Sequence, residues 1–576
     1  MIDISELKRC FPFDSYRKYQ EKVLEKIANH YNNGKRLVLL NAAVGFGKSP
    51  ILVAFCRYFG DSLYVTPQII LQEQLMRDFP DLAIIKGMNN YYCADSGYSR
   101  TCDVGTCKLK KGYECEYKEH GECEYYRAKE KAKSSPVALL NFAYFISEGL
   151  SAYSVFSDRK FIVIDEAHNI DNVVLDHVSV NITKRSVGRT VYNDVIGDNG
   201  SIRKELIEFV FDDVRDALYD RKNFLKSRDV LHEEESKELS KIERMIQKID
   251  AMEIDVNKGN EWLVKFNKDI SVGPIGIICK PLYAKGHMNE FVFDKADLFL
   301  FASATFINPH IYLSEIGAFE NFDKSEVVMI NVPSIFPVKN RQIIDYSVGK
   351  LTNDQIHKNL PKALSALIQI LNAHEDDKGI IHCHSYKIAR AVMNLKGDVA
   401  ERLMGHESDT RVSSFEEWVN SDGNKVFVSV NMTEGLDLKD DLARFQVIMK
   451  APFQPPTDDR VQRRLELKHW NWYFTEAMKT LAQAYGRIVR SETDHGVTYV
   501  LDTSAIQLYR RKGMPEWIRE AVSDKQYKYM TKKEIKRLYK QLKVGLRRVE
   551  DLTEGEKNTL LLHYPFLKYE QSVLEV

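Results

Sequence analysis

"LLNAAVGFGKS", residues 39–49, passes from an apolar run into a glycine-rich loop that ends in Lys-Ser. The run "RLVLLNA" (36–42) reads as a buried strand and Lys48-Ser49 as the opening of a helix. Between them, the loop Ala43-Val44-Gly45-Phe46-Gly47 can turn its backbone N–H groups toward phosphate oxygens. Lys48 then supplies charge to the outer phosphates, and the Ser49 hydroxyl suits Mg²⁺. Ala42 stands where a P-loop usually carries its first glycine, which is tolerable if φ stays negative there. Pro50 falls in the first helical turn, where its missing N–H costs little. The same residues with no strand before them would be a chance glycine-rich turn. Strand, loop and helix together predict an α/β domain that holds a nucleotide.

Other strands extend that expectation. "SLYVTP" (62–67), "VALLNF" (137–142), "FIVIDEA" (161–167) and "LFLFASA" (298–304) are near-continuous apolar runs separated by amphipathic stretches. Such runs predict a parallel sheet covered on both faces. "GIIHCHS", "KVFVSV", "FQVIMKAPF" and "GVTYVLD" repeat the style between 379 and 502, so two α/β domains are expected. Asp165 and Glu166 end one strand. Asp165 is placed to hold Mg²⁺, and Glu166 to polarise an attacking water. In "FPFDSYRKYQEKVLEKI" (11–27), Gln20 suits an adenine edge and Arg17 the base or a phosphate, although a polar face of an N-terminal helix reads equally simply. "QAYGRIVRS" (483–491) predicts Gln483, Arg487 and Arg490 on one helical face, with Gly486 permitting close approach. Arginines projected from a second domain onto a phosphate stabilise charge as the bond breaks. Thr433, Glu434, Gly435 and Asp437 follow a strand, where they suit a link between nucleotide and nucleic acid.

The 576 residues exceed one core, and 82 basic residues balance 82 acidic ones. Attraction to a polyanion must therefore come from a local basic surface. The N-terminus carries no apolar signal core and no run is long enough to span a bilayer, so a cytoplasmic protein is expected. Five of the nine cysteines, Cys93, Cys102, Cys107, Cys115 and Cys123, lie within a short charged segment. In a reducing compartment such clusters are more often metal ligands than disulfides. Their intervals, with eight, four, seven and seven residues between, contain no tight C-x₂-C pair, which makes structural zinc the weaker metal reading. A second interruption, 172–285, is charged and predicted mostly helical. "SIRKELIEFVFDDVRDALYD" places Ile202, Leu206, Phe209 and Val210 on one face, and the next helix carries a sparse stripe through Leu239, Ile242, Met245 and Ile246.

In order along the chain, "AAVGFGKS", "DEAH", "SAT", "TEGLD" and "QAYGRIVR" resemble motifs I, II, III, V and VI of superfamily 2 helicases. Ser303 and Thr305 of "ASATF" match the motif that couples the two domains there. With a cysteine segment between motifs I and II and a long insertion between II and III, the chain resembles the XPD/DinG family of DNA helicases, especially its shorter DinG-like members. "GMNNYYC", "CEYYRAKEKA", "LLNFAYF" and "ICKPLYA" resemble that family's flanks.

The resemblance implies an α/β fold of two RecA-like parallel-sheet domains, with an iron–sulfur insertion and a helical arch in the first. Expected boundaries are 1–87, 131–171 and 286–335 for the first domain, 88–130 for the cluster, 172–285 for the arch, and 336–576 for the second domain with a helical extension. It implies ATP and Mg²⁺ in the cleft, a [4Fe–4S] cluster on Cys93, Cys107, Cys115 and Cys123 with Cys102 as the spare, and 5′ to 3′ movement on single-stranded or forked DNA by a monomeric motor. If Cys102 ligates, Cys107 or Cys115 is displaced. Glu166, Lys48, Gln483, Arg487 and Arg490 are the implied catalytic set. Arg17, Gln20, Ala43, Gly45, Gly47, Lys48, Ser49, Asp165, Gly435 and Asp437 are the nucleotide contacts. The folded insertion and the arch would frame a hole for one strand, with Tyr91, Tyr92, Tyr125 and Tyr126 against bases and the basic run Arg127–Lys133 against phosphates. Two other functions fit the same residues: an RNA helicase, or a nucleic-acid clamp switched by ATP. DNA repair is one of several processes such a motor serves.

Overall fold

The computed structural model describes residues 1–149, 156, 158–196, 205–267, 275–407, 410–430, 438, 440–523, 530 and 532–563. The first sheet has seven parallel strands in the order Val327–Val332, Leu37–Ala42, Ala296–Ser303, Arg159–Asp165, Ser62–Thr66, Val137–Asn141 and Ala83–Ile84. Alternation explains why these strands are apolar throughout. Leu37 and Leu39 pack into the core on one face, and Val38 and Leu40 into the core on the other. Helices Gln20–Asn32 and Lys48–Phe59 cover that second face through Val23, Leu24, Ile27, Ile51 and Phe55. Register sets Asn41 beside Ser303 and Asp165 beside Ala302. The loops after all three strands therefore leave one edge of the sheet, where open parallel sheets bind ligands.

A second sheet has six parallel strands, ordered Ile343–Asp345, Val497–Val500, Phe445–Ile448, Gly379–His382, Val426–Ser429 and Leu403–Met404. The four late apolar runs of the sequence all lie in it. Helix Ile356–Ala373 packs on one face through Ala363, Leu367 and Ile370; helix Trp470–Tyr485 packs on the other through Met478 and Leu481.

The insertion after residue 172 carries a sheet that the mostly helical expectation did not include. Helices Arg215–Lys226 and Glu233–Asn257 are present, and they share a core of Leu218, Leu225, Ile242 and Ile249. That core also holds an antiparallel three-stranded sheet, ordered Val180–Thr183, Gly276–Pro281 and Trp262–Asn267. Ile277 and Cys279 face the helices. The strand Trp262–Asn267 is only partly buried and carries Lys265, so its period-two signal is weak. Of the first expected stripe, Val210 is buried, Leu206 and Phe209 pack against the core, and Ile202 lies outside the described residues.

Candidate nucleotide site and cysteine-rich insertion

Gly45 and Gly47 give the loop its shape. Both have positive φ, 81° and 78°, and Gly47 caps the helix that begins at Lys48. Lys48 Nζ lies 3.4 Å from Glu166 Oε1. Glu166 itself adopts a left-handed backbone, φ 51°, which turns its carboxylate off the strand end toward the loop. Burial opposes ionisation of Glu166, but Lys48, His168 and Arg487 hold its carboxyl well below the usual range. Asp165 behaves oppositely: burial, then the charge of Glu166, pushes it up to about 6, against the pull of Lys48. The Tyr64 hydroxyl donates to Asp165 Oδ2 at 3.0 Å and also meets Ser49. Adjacent carboxylates thus carry different protonation tendencies beside a lysine and a serine hydroxyl, as a general base and a cation ligand require.

A chain of hydrogen bonds leads out of this site into the second domain. Gln483 Nε2 lies 2.6 Å from His168 Nε2. An amide nitrogen donates, so His168 Nε2 accepts and its proton sits on Nδ1. Nδ1 in turn reaches Ser303 Oγ at 2.7 Å, and Ser303 Oγ accepts from Thr305 N at 3.0 Å. Residues of "DEAH", "SAT" and "QAYGR" are thereby joined. The two domains also touch through the loop. A Cβ on Gly486 would stand 2.8 Å from Val44 Cγ2, and one on Gly45 would stand 1.9 Å from the Phe336 ring.

Gln20 and Arg17 sit against the loop as well. Gln20 Nε2 donates to Gly47 O at 2.9 Å while its Oε1 accepts from Arg17 N at 2.7 Å, and Arg17 Nη1 lies 3.4 Å from Gly45 O. One expectation needs correction. The helix bearing Gln483 ends at Tyr485, with Gly486 as its C-cap, so Arg487 and Arg490 lie beyond it and not on one helical face. Glycine is a poor helix former, and the chain leaves the helix where it meets Val44. Arg487 still stands close enough to favour ionised Glu166, and Asp494 Oδ2 accepts from the Arg490 backbone N–H at 2.9 Å. Thr433, Glu434, Gly435 and Asp437 lie outside the described residues. Sequence reasoning gave no role to His168 or Tyr64. His168 had a signal, its place two residues after Glu166; Tyr64, one apolar-strand residue among several, had none.

Known proteins share this fold. Residues 367–521 match the helicase C-terminal domain model and residues 101–187 match the DEAD_2 model. The solved structure titled "XPD_Helicase" superimposes with a TM-score of 0.58, covering 87% of this chain and 98% of that one at 19% identity. Two stretches of the chain thus match helicase family models, and the fold is XPD-like. The S. tokodaii Xpd4 structure gives a TM-score of 0.55 over 88% of this chain and 99% of that one, at 14% identity. Among curated proteins, "Probable ATP-dependent helicase MJ0942" of Methanocaldococcus jannaschii is 23% identical over 90% of this chain and 95% of that protein. "Regulator of telomere elongation helicase 1 homolog" of Drosophila yakuba is 24% identical over 35% of this chain, which matches 25% of that protein.

In this XPD-like chain the cysteine segment forms short turns followed by helix Glu124–Ser134. Cys93, Cys102, Cys107, Cys115 and Cys123 all line one cavity, with Tyr125 and Tyr126 beside them. Cys93, Cys102 and Cys115 are buried and the other two half-buried. Cys102 pairs with Cys123, and burial followed by Cys123 pushes its thiol up to about 12. Among the described residues no three His, Cys, Asp or Glu side chains converge as a ready single-ion site. Tyr125 is buried against Tyr91 and Tyr126, and Tyr92 is exposed. Of the four tyrosines expected against bases, Tyr125 is therefore a packing residue. In the basic run, Lys129 is paired with Glu148 at 2.7 Å.

Proposed function

We propose that the protein is an ATP-driven DNA helicase that moves 5′ to 3′ along a single strand and opens duplex ahead of it. The observation that carries this reading is the Gln483–His168–Ser303 chain, which ties the second domain to the Lys48–Glu166 site. Such a link lets a site that hydrolyses nucleotide report its state across a cleft. ATP phosphates sit on the N–H groups of Ala43, Gly45 and Gly47, with Lys48 on the outer oxygens. Ser49 and Asp165 hold Mg²⁺, which neutralises phosphate charge when bound. Glu166, kept ionised by Lys48 and His168, accepts the proton of the attacking water; Arg487 and Arg490 meet the charge that develops as the bond breaks. Gln20 and Arg17 brace the loop, where they would meet the base.

The cysteine segment suits a [4Fe–4S] cluster because five thiols wall one cavity and four suffice. Cys93, Cys107, Cys115 and Cys123 remain the proposed ligands. A cluster held there contributes folding free energy to a segment with little apolar core. The similarity to the probable ATP-dependent helicase of Methanocaldococcus jannaschii supports ATP-dependent helicase activity; direction and preference for DNA rest on the family resemblance.

The test is ATP hydrolysis with and without single-stranded DNA or RNA, followed by displacement from 5′-tailed and 3′-tailed duplexes. Stimulation by DNA and displacement from 5′ tails are expected. Stimulation by RNA alone assigns an RNA helicase. Binding controlled by ATP with no displacement of either duplex assigns a clamp.

A further inference from the structure

Beside the Gln483–His168 bond the two domains enclose a cavity of about 20 Å³, with His168 in its wall. Thr305, Tyr312 and Glu315 line it from the first domain; Glu476 and Lys479, on helix Trp470–Tyr485, line it from the second. Asp171 completes the lining. It lies three residues after His168, at the start of helix Ile170–Val178, and is only 4% exposed. Its Oδ1 is buried and, among the described residues, has no hydrogen-bond partner.

Of three second-domain cations around Asp171, two are engaged elsewhere. Lys479 Nζ pairs with Glu476 at 3.1 Å. Arg464 gives Nη1 to Glu315 at 2.8 Å and Nη2 to Leu282 O at 2.9 Å. The third is Arg460. Its Nε donates to Leu282 O at 3.1 Å and its guanidinium lies 5.3 Å from the centre of the Trp472 ring, but Nη2 is buried with no partner among the described residues. Burial, then Arg464, pushes the Arg460 guanidinium below its ordinary range; Asp171 opposes this more than Glu315 or Glu476 does. Asp171 is thus the carboxylate that Arg460 feels most.

Arg460 and Arg464 stand four residues apart, so they share one face of helix Asp459–Glu466. One has closed onto a first-domain carboxylate, and the other is near one without bonding it. A buried donor and a buried acceptor left unmade are unfavourable, so an arrangement of the domains that joins them gains a bond that this one lacks. We infer that Asp171 and Arg460 are positioning residues, which pair across the domains when a nucleoside triphosphate draws the cleft shut and part when the diphosphate remains. The path is short. Helix Ile170–Val178 follows directly on the segment that holds Glu166 and His168, so a shift of those residues moves Asp171 with them. A bond made in one state only biases the molecule toward the ligand that selects that state. This inference rests on the nucleotide site proposed above and adds to it a sensor of the outer phosphate.

Affinities of the full chain for ADP and for a non-hydrolysable ATP analogue, both with Mg²⁺, test it. Asp171→Asn and Arg460→Gln are each expected to weaken binding of the analogue about tenfold and to leave that of ADP unchanged. The double variant Asp171→Asn/Arg460→Gln is expected to lose no more than either alone, because one bond is removed in all three. Tm of the nucleotide-free protein is not expected to fall with Asp171→Asn, since the pair is unmade there. Equal losses for ADP and analogue, losses that add in the double variant, or no loss for either nucleotide would overturn the proposal. Unfolding of nucleotide-free Asp171→Asn would overturn it too, by showing that the carboxylate is already in use. A wild-type protein that binds neither nucleotide would instead overturn the nucleotide site itself.

Discussion

Asp165 and Glu166 are chemically alike and adjacent, yet their surroundings separate them. Asp165 is pushed up to about 6 by burial and by Glu166, so below that pH it is protonated and a poor cation ligand. Strand-stimulated hydrolysis is expected to fall as pH drops through about 6, and added Mg²⁺ to recover part of it. Stability runs the other way. The folded-state pKa lies above the unfolded one, so Asp165 favours the fold below the unfolded value and that contribution is lost as pH rises through about 6. Mg²⁺ should therefore raise Tm more at pH 7.5 than at pH 5, as thermal denaturation would register. Replacing Lys48 by Ala is expected to lower kcat by about 10²–10³-fold, the usual cost of removing one charge-stabilising donor. Gly486→Ala drives a Cβ onto Val44 Cγ2, 2.8 Å away, and is expected to cost about 10- to 100-fold in hydrolysis by misplacing Arg487. The residues of the nucleotide loop were legible because their chemistry is set by neighbours in sequence. The Gln483–His168 bond was not, since it joins residues 315 apart that only the packing of two sheets brings together.

At the scale of elements, the helix Asp459–Glu466 holds the molecule's parts to one another. Arg464 is fully buried between the Tyr283 and Trp472 rings, at 4.6 and 4.3 Å, with Nη1 donating to Glu315 Oε1 at 2.8 Å and Nη2 to Leu282 O at 2.9 Å. On the same helix, Arg463 pairs with Glu261 at 2.5 Å, and Asp459 with Lys265. One short helix of the second domain therefore grips the base of the arch and the first domain. Arg464→Met leaves Glu315 without its partner and is expected to cost about 3–5 kcal/mol in denaturant unfolding. Glu315→Gln in the same background should return part of that loss, because the stranded charge is then gone. Element reading from sequence succeeded wherever both faces of a strand are buried, as in Leu37–Ala42. It failed for Trp262–Asn267, half-exposed and interrupted by Lys265, and for the run after Gly486, where the contact with Val44 overrode helical spacing.

As a whole, the chain is two parallel sheets joined at the candidate nucleotide cleft, with two insertions on the first. The insertion holding five thiols has few apolar residues of its own, so its order is expected to depend on bound metal. Anaerobic purification should give about four irons and four sulfides per chain. Removing them is expected to make residues 88–130 sensitive to protease while nucleotide binding persists. Stoichiometric zinc instead would withdraw the iron–sulfur assignment and leave the ATP site untouched.

Strand displacement is the most direct check on the motor itself. Wild-type protein and Glu166→Gln would be mixed with a 5′-tailed duplex, ATP and Mg²⁺, and the released strand followed in time. Release by the wild type, and retained binding with no release by Glu166→Gln, is the expected result. Equal release by both proteins, or hydrolysis by the wild type with no release from either tail, would contradict the claim that Glu166-dependent hydrolysis drives strand separation.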